Sequence, residues 1–240
     1  MTDDIDQRAR ARLRADESGP RRRLSLVDAA AEFARHPSPW LIGTTLVGAV
    51  TARIVVGDWR LWDTLLPFVM LAVFPFFEWV VHVVILHWRP RRIGALTIDP
   101  LLSRKHREHH TDPRDVPLVF IPWPVLLWLL PLVTAIALFA FSRTGLGLTY
   151  LCVVAALGLV YEWTHYLIHS DYVPRTRAYR AVWRNHRLHH YKNEHYWFTV
   201  TTTGTADRVL GTYPDPAAVA KSPSVKDLHR RDPLSDPLAG

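Results

Sequence analysis

Four apolar stretches dominate the chain and restrict what it can fold into: residues 40–56, 61–81, 124–141 and 146–161. A helix of about 18 residues is roughly 27 Å long, which is just enough to cross the apolar core of a bilayer. One such stretch is also typical of a buried helix, but four in 240 residues favour membrane spans. We therefore predict an all-α integral membrane protein with four transmembrane helices arranged as two hairpins.

Basic residues lie mainly on one side of these stretches. Of the 29 Lys and Arg residues, eight precede the first stretch, seven lie in residues 89–116 and eleven follow position 170. The short connections contain only Arg60 and Arg143, while Arg53 lies near the end of the first stretch, where it can snorkel outward. Because Lys and Arg accumulate on the cytoplasmic side, both termini and the long loop are predicted to be cytoplasmic. The net charge of +7 fits contacts with anionic lipid, and the chain has no nucleic-acid-binding motif.

The stretches divide the chain into three parts. Residues 1–38 are predicted to be a cytoplasmic, mostly disordered segment, residues 39–214 the membrane domain, and residues 215–240 a disordered tail. The single cysteine, Cys152, cannot form an intrachain disulfide and indicates a reducing compartment. Arginine outnumbers lysine 25 to 4, which indicates a GC-rich bacterial genome. The bacterial plasma membrane is therefore the predicted location.

A short helix is predicted near the end of the N-terminal segment. Ser25 can cap it, with Asp28 at the third position. One face of this helix then carries Leu26, Ala30 and Phe33. The helix is either a simple linker or an interfacial helix that leads into the membrane, and we favour the second interpretation.

Ten of the 13 histidines fall into four short boxes: HxxxxH at 82–87, HxxHH at 106–110, HxxxH at 165–169 and HxxHH at 186–190. Neutral imidazole is a common ligand for iron and zinc. One ion takes about four to six ligands, so ten imidazoles imply two ions with roughly five each. The other three, His36, His195 and His229, are interpreted as structural. All ten lie at or just beyond the predicted cytoplasmic ends of the spans, which predicts a histidine-rich helical cap that holds a dimetal site.

Helical geometry predicts which histidines can share an ion. His165 and His169 are four residues apart and lie on one helical face. In HxxHH the first histidine lies beside both later ones, whereas the adjacent pair diverges by about 100° and can serve two ions. His82 and His87 point about 140° apart on an ideal helix. Either that helix is distorted or these two histidines serve different ions.

The two halves of the chain resemble each other. Glu78-Trp79 precedes His82, Glu162-Trp163 precedes His165, and both later boxes read His-Arg-x-His-His. This similarity is typical of a duplication, although shared ligand requirements can produce the same spacing by convergence.

Acidic residues near the boxes are candidate acceptors for the second ring N–H of a metal-bound histidine. The candidates are Glu78, Asp112, Asp115, Glu162 and Asp171. For each of them, a structural acid at a helix end or on the surface is an equally good interpretation. Ser/His/Asp triads, Gly-rich phosphate loops and CxxC pairs are absent from the sequence, which argues against hydrolase, nucleotide-binding and thiol-redox functions.

In their context the four boxes resemble the fatty acid hydroxylase/sterol desaturase superfamily of membrane oxygenases. The segments that carry the resemblance are RKHREHHTDPRDVPLVF, YEWTHYLIH and HHYKNEHYWFTVTTTGTADRVLGT, and it covers roughly residues 76–214. The order of the boxes is most similar to that of fatty acid 2-hydroxylases. The resemblance implies a di-iron centre and O₂-dependent hydroxylation of a membrane lipid, with a fatty acyl chain as the favoured substrate. The implied ligands are His82, His87, His106, His109, His110, His165, His169, His186, His189 and His190.

The resemblance also implies that no side chain beyond the metal ligands is catalytic and that O₂ is a co-substrate. Zinc in a purified sample would mark substitution of the iron, because zinc has no redox chemistry. No cytochrome b5-like domain is recognised in the chain, so a separate ferredoxin or cytochrome b5-like protein is expected to supply electrons. The basic clusters at 89–92 and 175–187 can dock such an acidic carrier.

The sequence leaves two alternatives open. Related boxes occur in carotenoid- and sterol-type hydroxylases and desaturases, so the substrate can be an isoprenoid lipid. A metal transporter or metal-storage protein is less favoured, because transport requires ionisable groups at mid-membrane whereas these histidines lie at the ends of the spans.

Overall fold

The computed structural model describes residues 24–229, and this part of the chain is mostly helical. Its helices are α1 (Leu26–Phe33), α2 (Pro37–Val56), α3 (Leu65–Val80), α4 (Leu101–Thr111), α5 (Val116–Val119), α6 (Trp123–Phe139), α7 (Thr144–His169), α8 (Arg177–Tyr191) and α9 (Thr205–Val209). A π-helical turn, Val81–Leu86, continues α3, and 3₁₀ turns occupy Leu61–Thr64 and Pro216–Ala218. Strands β1 (Arg91–Ile93) and β2 (Leu96–Ile98) form a small antiparallel hairpin.

Four helical segments are long and apolar enough to cross a membrane, as the sequence predicts: Pro37–Val56, Leu61–Leu86, Val116–Phe139 and Thr144–His169. Only 22–28% of the most apolar window of each segment is buried inside the protein. Large side chains such as Phe68, Phe77, Leu132 and Phe139 face outward. In water this surface would be unfavourable, so the apolar surroundings of a bilayer complete the packing.

Small residues bring the spans together. Gly147 of α7 lies so close to Ala137 of α6 that an added Cβ would stand 1.8 Å from the Ala137 carbonyl oxygen. Ala49 of α2 and Leu151 of α7 pack in the same cluster as Ala137. Close approach of small residues is a common way in which membrane helices associate.

An ion-pair network closes the end of the bundle where α2 ends and α7 begins. Arg53 is 3% exposed and lies over the ring of Trp59, with its guanidinium carbon 3.5 Å from the ring centroid. It donates to Asp63 at 3.3 Å, and Asp63 also pairs with Arg143. The prediction that Arg53 snorkels outward is therefore wrong, because the buried carboxylate of Asp63 and the ring of Trp59, in the connection after α2, accept its charge.

The predicted capped helix before the first span is present as α1. The Ser25 hydroxyl accepts the Asp28 N–H at 3.1 Å. Of the three residues predicted to share one face, Phe33 packs on Phe120, whereas Leu26 and Ala30 are exposed. Ala29 is fully buried, because α1 packs against α7 and the loop before α6. The disorder predicted for residues 1–23 concerns positions outside the described residues.

The C-terminal segment does not match its prediction. Residues 215–229 are placed against the rest of the protein, with Val225 and Leu228 buried. Serine and main-chain groups of this segment are satisfied by hydrogen bonds to Lys192 and Glu194. Its polar composition therefore serves specific contacts rather than disorder. Residues 230–240 lie outside the described residues.

Candidate metal centre

The first histidine box lies on a π-helical turn. The His87 N–H donates to the His82 carbonyl at 3.0 Å, a bond that spans five residues instead of four. The wider turn brings both rings to one side, with their centroids 5.0 Å apart. Of the two possibilities open at the sequence level, a distorted helix is the one found.

The adjacent histidines of each HxxHH box point to different places, as helical geometry predicts. In α4, His110 faces the rings of His82 and His87, while His109 faces those of His165 and His169. The same division occurs in α8 between His189 and His190.

The ten histidines form two groups of five at one end of the bundle. Within each group, one ring nitrogen from every histidine lies within 4.8 Å of the others. The first group contains His82, His87, His106, His110 and His189, and the second contains His109, His165, His169, His186 and His190. Each half of the chain supplies four histidines to one group and one to the other. The two groups are therefore built jointly and not as separate sites.

The rings of His110 and His189 face each other with nitrogens that carry no proton. His110 Nδ1 donates to the Val225 carbonyl at 3.1 Å, and His189 Nδ1 donates to the Tyr196 carbonyl at 2.9 Å. Burial lowers the pKa of His189 to about 4 and lowers the pKa of His110 well below its usual value, so both rings are neutral. Each Nε2 therefore presents a lone pair, and the two Nε2 atoms are 3.2 Å apart. Two facing lone pairs repel each other, and a cation bound by both nitrogens relieves this repulsion.

The spacing of the ring nitrogens fits a metal ion. Nitrogens bound to one ion at about 2.0–2.1 Å lie roughly 2.8–3.4 Å apart when their bonds make an angle of about 90–110°. His109 and His169 are separated by 3.3 Å between Nε2 atoms, and His186 and His190 by 3.1 Å. The remaining Nε2 atoms are buried without a hydrogen-bond partner among the described residues; they belong to His82, His87, His106 and His165. All ten imidazoles thus offer a ring nitrogen that fits metal ligation.

Main-chain carbonyls orient several of the rings. Trp197 is fully buried and adopts a left-handed backbone conformation, with φ of 56°. On its two sides, the Tyr196 carbonyl accepts from His189 and the Phe198 carbonyl accepts from His82, at 2.9 and 2.6 Å. On the second group, the Val119 carbonyl accepts from His165 Nδ1 at 2.8 Å. These bonds select the tautomer whose Nε2 is free to bind a metal.

A buried aspartate holds the loop that follows Trp197. Asp207 is completely buried and accepts hydrogen bonds from the main-chain N–H groups of Phe198 and Thr199, at 2.8 and 3.0 Å. The hydroxyls of Thr199 and Thr212 also donate to it, at 2.5 and 2.7 Å. Asp207 is a functional residue that the sequence pattern does not reveal, since only its position within TGTADRVLGT distinguishes it from a surface acid.

The acidic residues expected to accept ring N–H groups contact other partners. Glu78 accepts from the N–H groups of Val200 and Thr201 at 2.9 and 3.0 Å, and Glu162 accepts from Ser38 and the Ile121 N–H at 2.5 and 2.8 Å. Both glutamates therefore hold loops next to the histidines and not the rings themselves. The other three are exposed: Asp112, Asp115 and Asp171. For these five acids the structure favours the alternative of a loop-holding or surface carboxylate, and main-chain carbonyls accept instead from the rings of His82, His110, His165 and His189.

The three histidines outside the boxes lie outside both groups. His36 stacks on Phe120 with ring centroids 4.1 Å apart, and His195 is largely exposed. His229 Nε2 contacts the carbonyl oxygen of His87 at 2.9 Å. Two further residues near the centre were missed from the sequence, Glu194 and Val225, because one is a lone acid in a loop and the other acts through its main chain.

Comparisons with known proteins agree with this architecture. The family model described as fatty acid hydroxylase matches residues 67–212, which is more than half of the chain and contains all ten grouped histidines. A solved structure described as full-length scs7p, with only the hydroxylase domain visible, shares the fold with a TM-score of 0.61. It is 20% identical over 77% of this chain and 70% of that chain. No curated protein sequence matches the chain significantly. On the family match, this four-span membrane protein with paired histidine clusters belongs to the fatty acid hydroxylase family.

Proposed function

We propose that this protein hydroxylates an acyl chain of a membrane lipid, with O₂ as the oxidant and two iron ions held by the two groups of histidines. The observation that carries the proposal is the pair of converging five-imidazole groups in a chain of the fatty acid hydroxylase family. When bound, two redox-active ions would supply the activation of O₂ that no side chain provides. Zinc cannot supply this chemistry because it has no accessible redox change.

The reaction requires an external source of electrons. One oxygen atom of O₂ enters a C–H bond as a hydroxyl group, and the other leaves as water. Two electrons and two protons balance this change. We assign the electrons to a separate acidic carrier, a ferredoxin or a cytochrome b5-like protein, that docks on the arginine-rich segments 89–92 and 175–187.

The residues of the chain prepare the centre in three ways. Burial keeps His110 and His189 neutral and therefore able to bind metal at neutral pH. Carbonyl contacts fix the direction of each Nε2. The apolar side chains around the rings, such as Phe198, exclude water, and exclusion of water protects a reactive centre from side reactions.

The surroundings of the histidines support a lipid substrate. The π-helical turn that carries His82, and that His87 directly follows, also contains Val84 and Ile85. These two side chains are exposed on the outer surface of the span. A lipid tail can therefore remain in the bilayer while its reactive part approaches the histidine end of the bundle. The positive-inside rule assigns this end to the cytoplasmic leaflet.

Lipid analysis under ¹⁸O₂ tests this function. Membrane lipids from cells with and without the gene are compared by mass spectrometry, and a variant with His165→Ala serves as the inactive control. We expect hydroxylated acyl chains that carry one ¹⁸O atom only in cells with the unmodified gene. If the acyl chains are unchanged and a carotenoid or sterol is altered instead, the substrate is an isoprenoid lipid. A new double bond without ¹⁸O would indicate desaturation instead.

A further inference from the structure

The segment Pro214–His229, here named the strap, runs across the first group of histidines. His110 Nδ1 donates to the Val225 carbonyl at 3.1 Å, and His229 Nε2 contacts the His87 carbonyl oxygen at 2.9 Å. The Thr111 hydroxyl also donates to the Lys226 carbonyl at 3.1 Å. The strap therefore contacts two of the five histidines in that group. It lies beyond residue 212, where the match to the family ends.

The contacts of the strap are one-sided. Within residues 24–229, the strap forms hydrogen bonds with two grouped histidines, His87 and His110. Both belong to the first group. The second group is oriented from elsewhere, since His165 bonds to the Val119 carbonyl. The two candidate metal sites thus differ in what holds them.

Glu194 anchors the strap. It is 2% exposed, and its Oε1 accepts the hydroxyls of Ser222 and Ser224 at 2.9 and 2.6 Å. The Ser222 N–H also donates to the Lys192 carbonyl at 2.8 Å. Glu194 lies two residues before Tyr196, whose carbonyl holds His189. One buried carboxylate therefore joins the strap to the loop that orients another member of the first group.

We propose that Glu194 is a positioning residue that controls metal occupancy of the first group alone, through the strap. This inference rests on the proposed dimetal function. Without the anchor, Val225 loses its position, the His110 ring is no longer held in the metal-binding tautomer, and the first ion binds more weakly. Loss of a residue that orients a metal ligand typically weakens metal binding by about 10–100-fold. The second group keeps its own main-chain support.

The test is metal titration of the full chain in detergent. Ferrous iron is added without oxygen, and both binding steps are measured for the unmodified protein and for Glu194→Ala. We expect two ions per unmodified chain, and in Glu194→Ala one step that is about 10–100-fold weaker beside one unchanged step. Glu194→Gln keeps an oxygen for both serine hydroxyls and should restore the weakened step. Lys221→Ala, at an exposed position of the strap, is the matched control and should bind as the unmodified protein does.

Limited trypsin digestion gives a second readout that is independent of metal. Lys226 lies over the Tyr191 ring at 4.4 Å, so release of the strap should speed cleavage after Lys226 in Glu194→Ala. If Glu194→Ala does not fold, the milder Ser224→Ala removes only one anchoring hydroxyl and should weaken the same single step. Equal weakening of both steps, or two unchanged steps with a released strap, would overturn the inference. Failure of the unmodified protein to bind two ions would instead contradict the proposed function.

Discussion

The tautomers of His110 and His189 are set by main-chain carbonyls of Val225 and Tyr196. A carbonyl can only accept a hydrogen bond, so each Nδ1 must carry the proton and each Nε2 must present its lone pair. Such a pair at 3.2 Å is unfavourable until a cation binds. At the scale of single residues, the centre is therefore arranged for metal before any metal arrives.

Replacement of one such ring should abolish turnover without unfolding the protein. We predict that His189→Ala lowers the rate of product formation by at least about 100-fold. Loss of a residue that only hydrogen-bonds to a metal ligand already lowers activity by up to about 100-fold, and loss of the ligand itself should cost at least as much. His195→Ala is the control, because its side chain is 71% exposed and lies outside both groups. Activity assays on both purified variants check this. Equal activity in the two would show that His189 is not a ligand.

At the scale of elements, the loop around Trp197 is the part that most needs support. Its left-handed residue, Trp197, directs the carbonyls of its two neighbours, Tyr196 and Phe198, toward His189 and His82. Such a conformation persists only where surrounding bonds enforce it. Asp207 provides four of those bonds, and Glu78 holds the next turn of the loop.

Loss of Asp207 should therefore destabilise the protein and weaken metal binding together. Each buried donor left without an acceptor costs about 1–3 kcal/mol, so Asp207→Ala should lower the free energy of unfolding by about 3 kcal/mol or more. Asp112→Ala is the matched control, since Asp112 is an exposed aspartate beside the second box. Denaturation in detergent measures both variants. Similar losses for the two would contradict the role assigned to Asp207.

Several parts of this architecture follow from sequence patterns, and others do not. The four spans and the division of His109 from His110 follow from helical periodicity and apolar length. The π-helical turn does not follow from any such pattern. It depends on whether a main-chain hydrogen bond spans four or five residues, and side chains encode that difference only weakly. Carbonyl acceptors such as that of Val225 carry no side-chain signature. The strap has the composition of a disordered tail, since its anchors are serine hydroxyls and main-chain groups.

At the scale of the whole molecule, the two ends of the bundle have different roles. One end carries the ten histidines, and the other is closed by the buried network around Arg53 and Asp63. The network connects the turn between the first two spans to the turn between the last two, because Arg143 also binds Asp63. It holds the two hairpins together far from the metal centre.

Removal of the Asp63 charge should lower stability without changing metal content. Asp63→Asn leaves Arg53 buried without its carboxylate, and breaking a buried pair in this way costs about 3–5 kcal/mol. Asp58→Asn, at an exposed pair with Arg143, should cost much less. Thermal unfolding and metal content per folded chain are the measurements. Loss of metal from folded Asp63→Asn protein would show that the two ends are coupled.

The two ends of the bundle also differ in their content of basic residues, and this difference predicts the orientation of the protein in the membrane. In a Cys152→Ser background, the Asp58→Cys variant should react with an impermeant maleimide added to intact cells, because the short connections carry few basic residues and are expected on the outer side. The Ala95→Cys variant, substituted in the exposed hairpin beside the histidines, should react only after lysis. The reverse pattern would place the histidines outside the cell.

The most direct test of the whole account is anomalous diffraction at the iron edge from crystals of the iron-loaded protein. Two peaks are predicted for each chain, one within bonding distance of His82, His87, His106, His110 and His189, and the other of His109, His165, His169, His186 and His190. A single peak, or ions bound away from these rings, would contradict the assignment of two metal sites to these ten histidines.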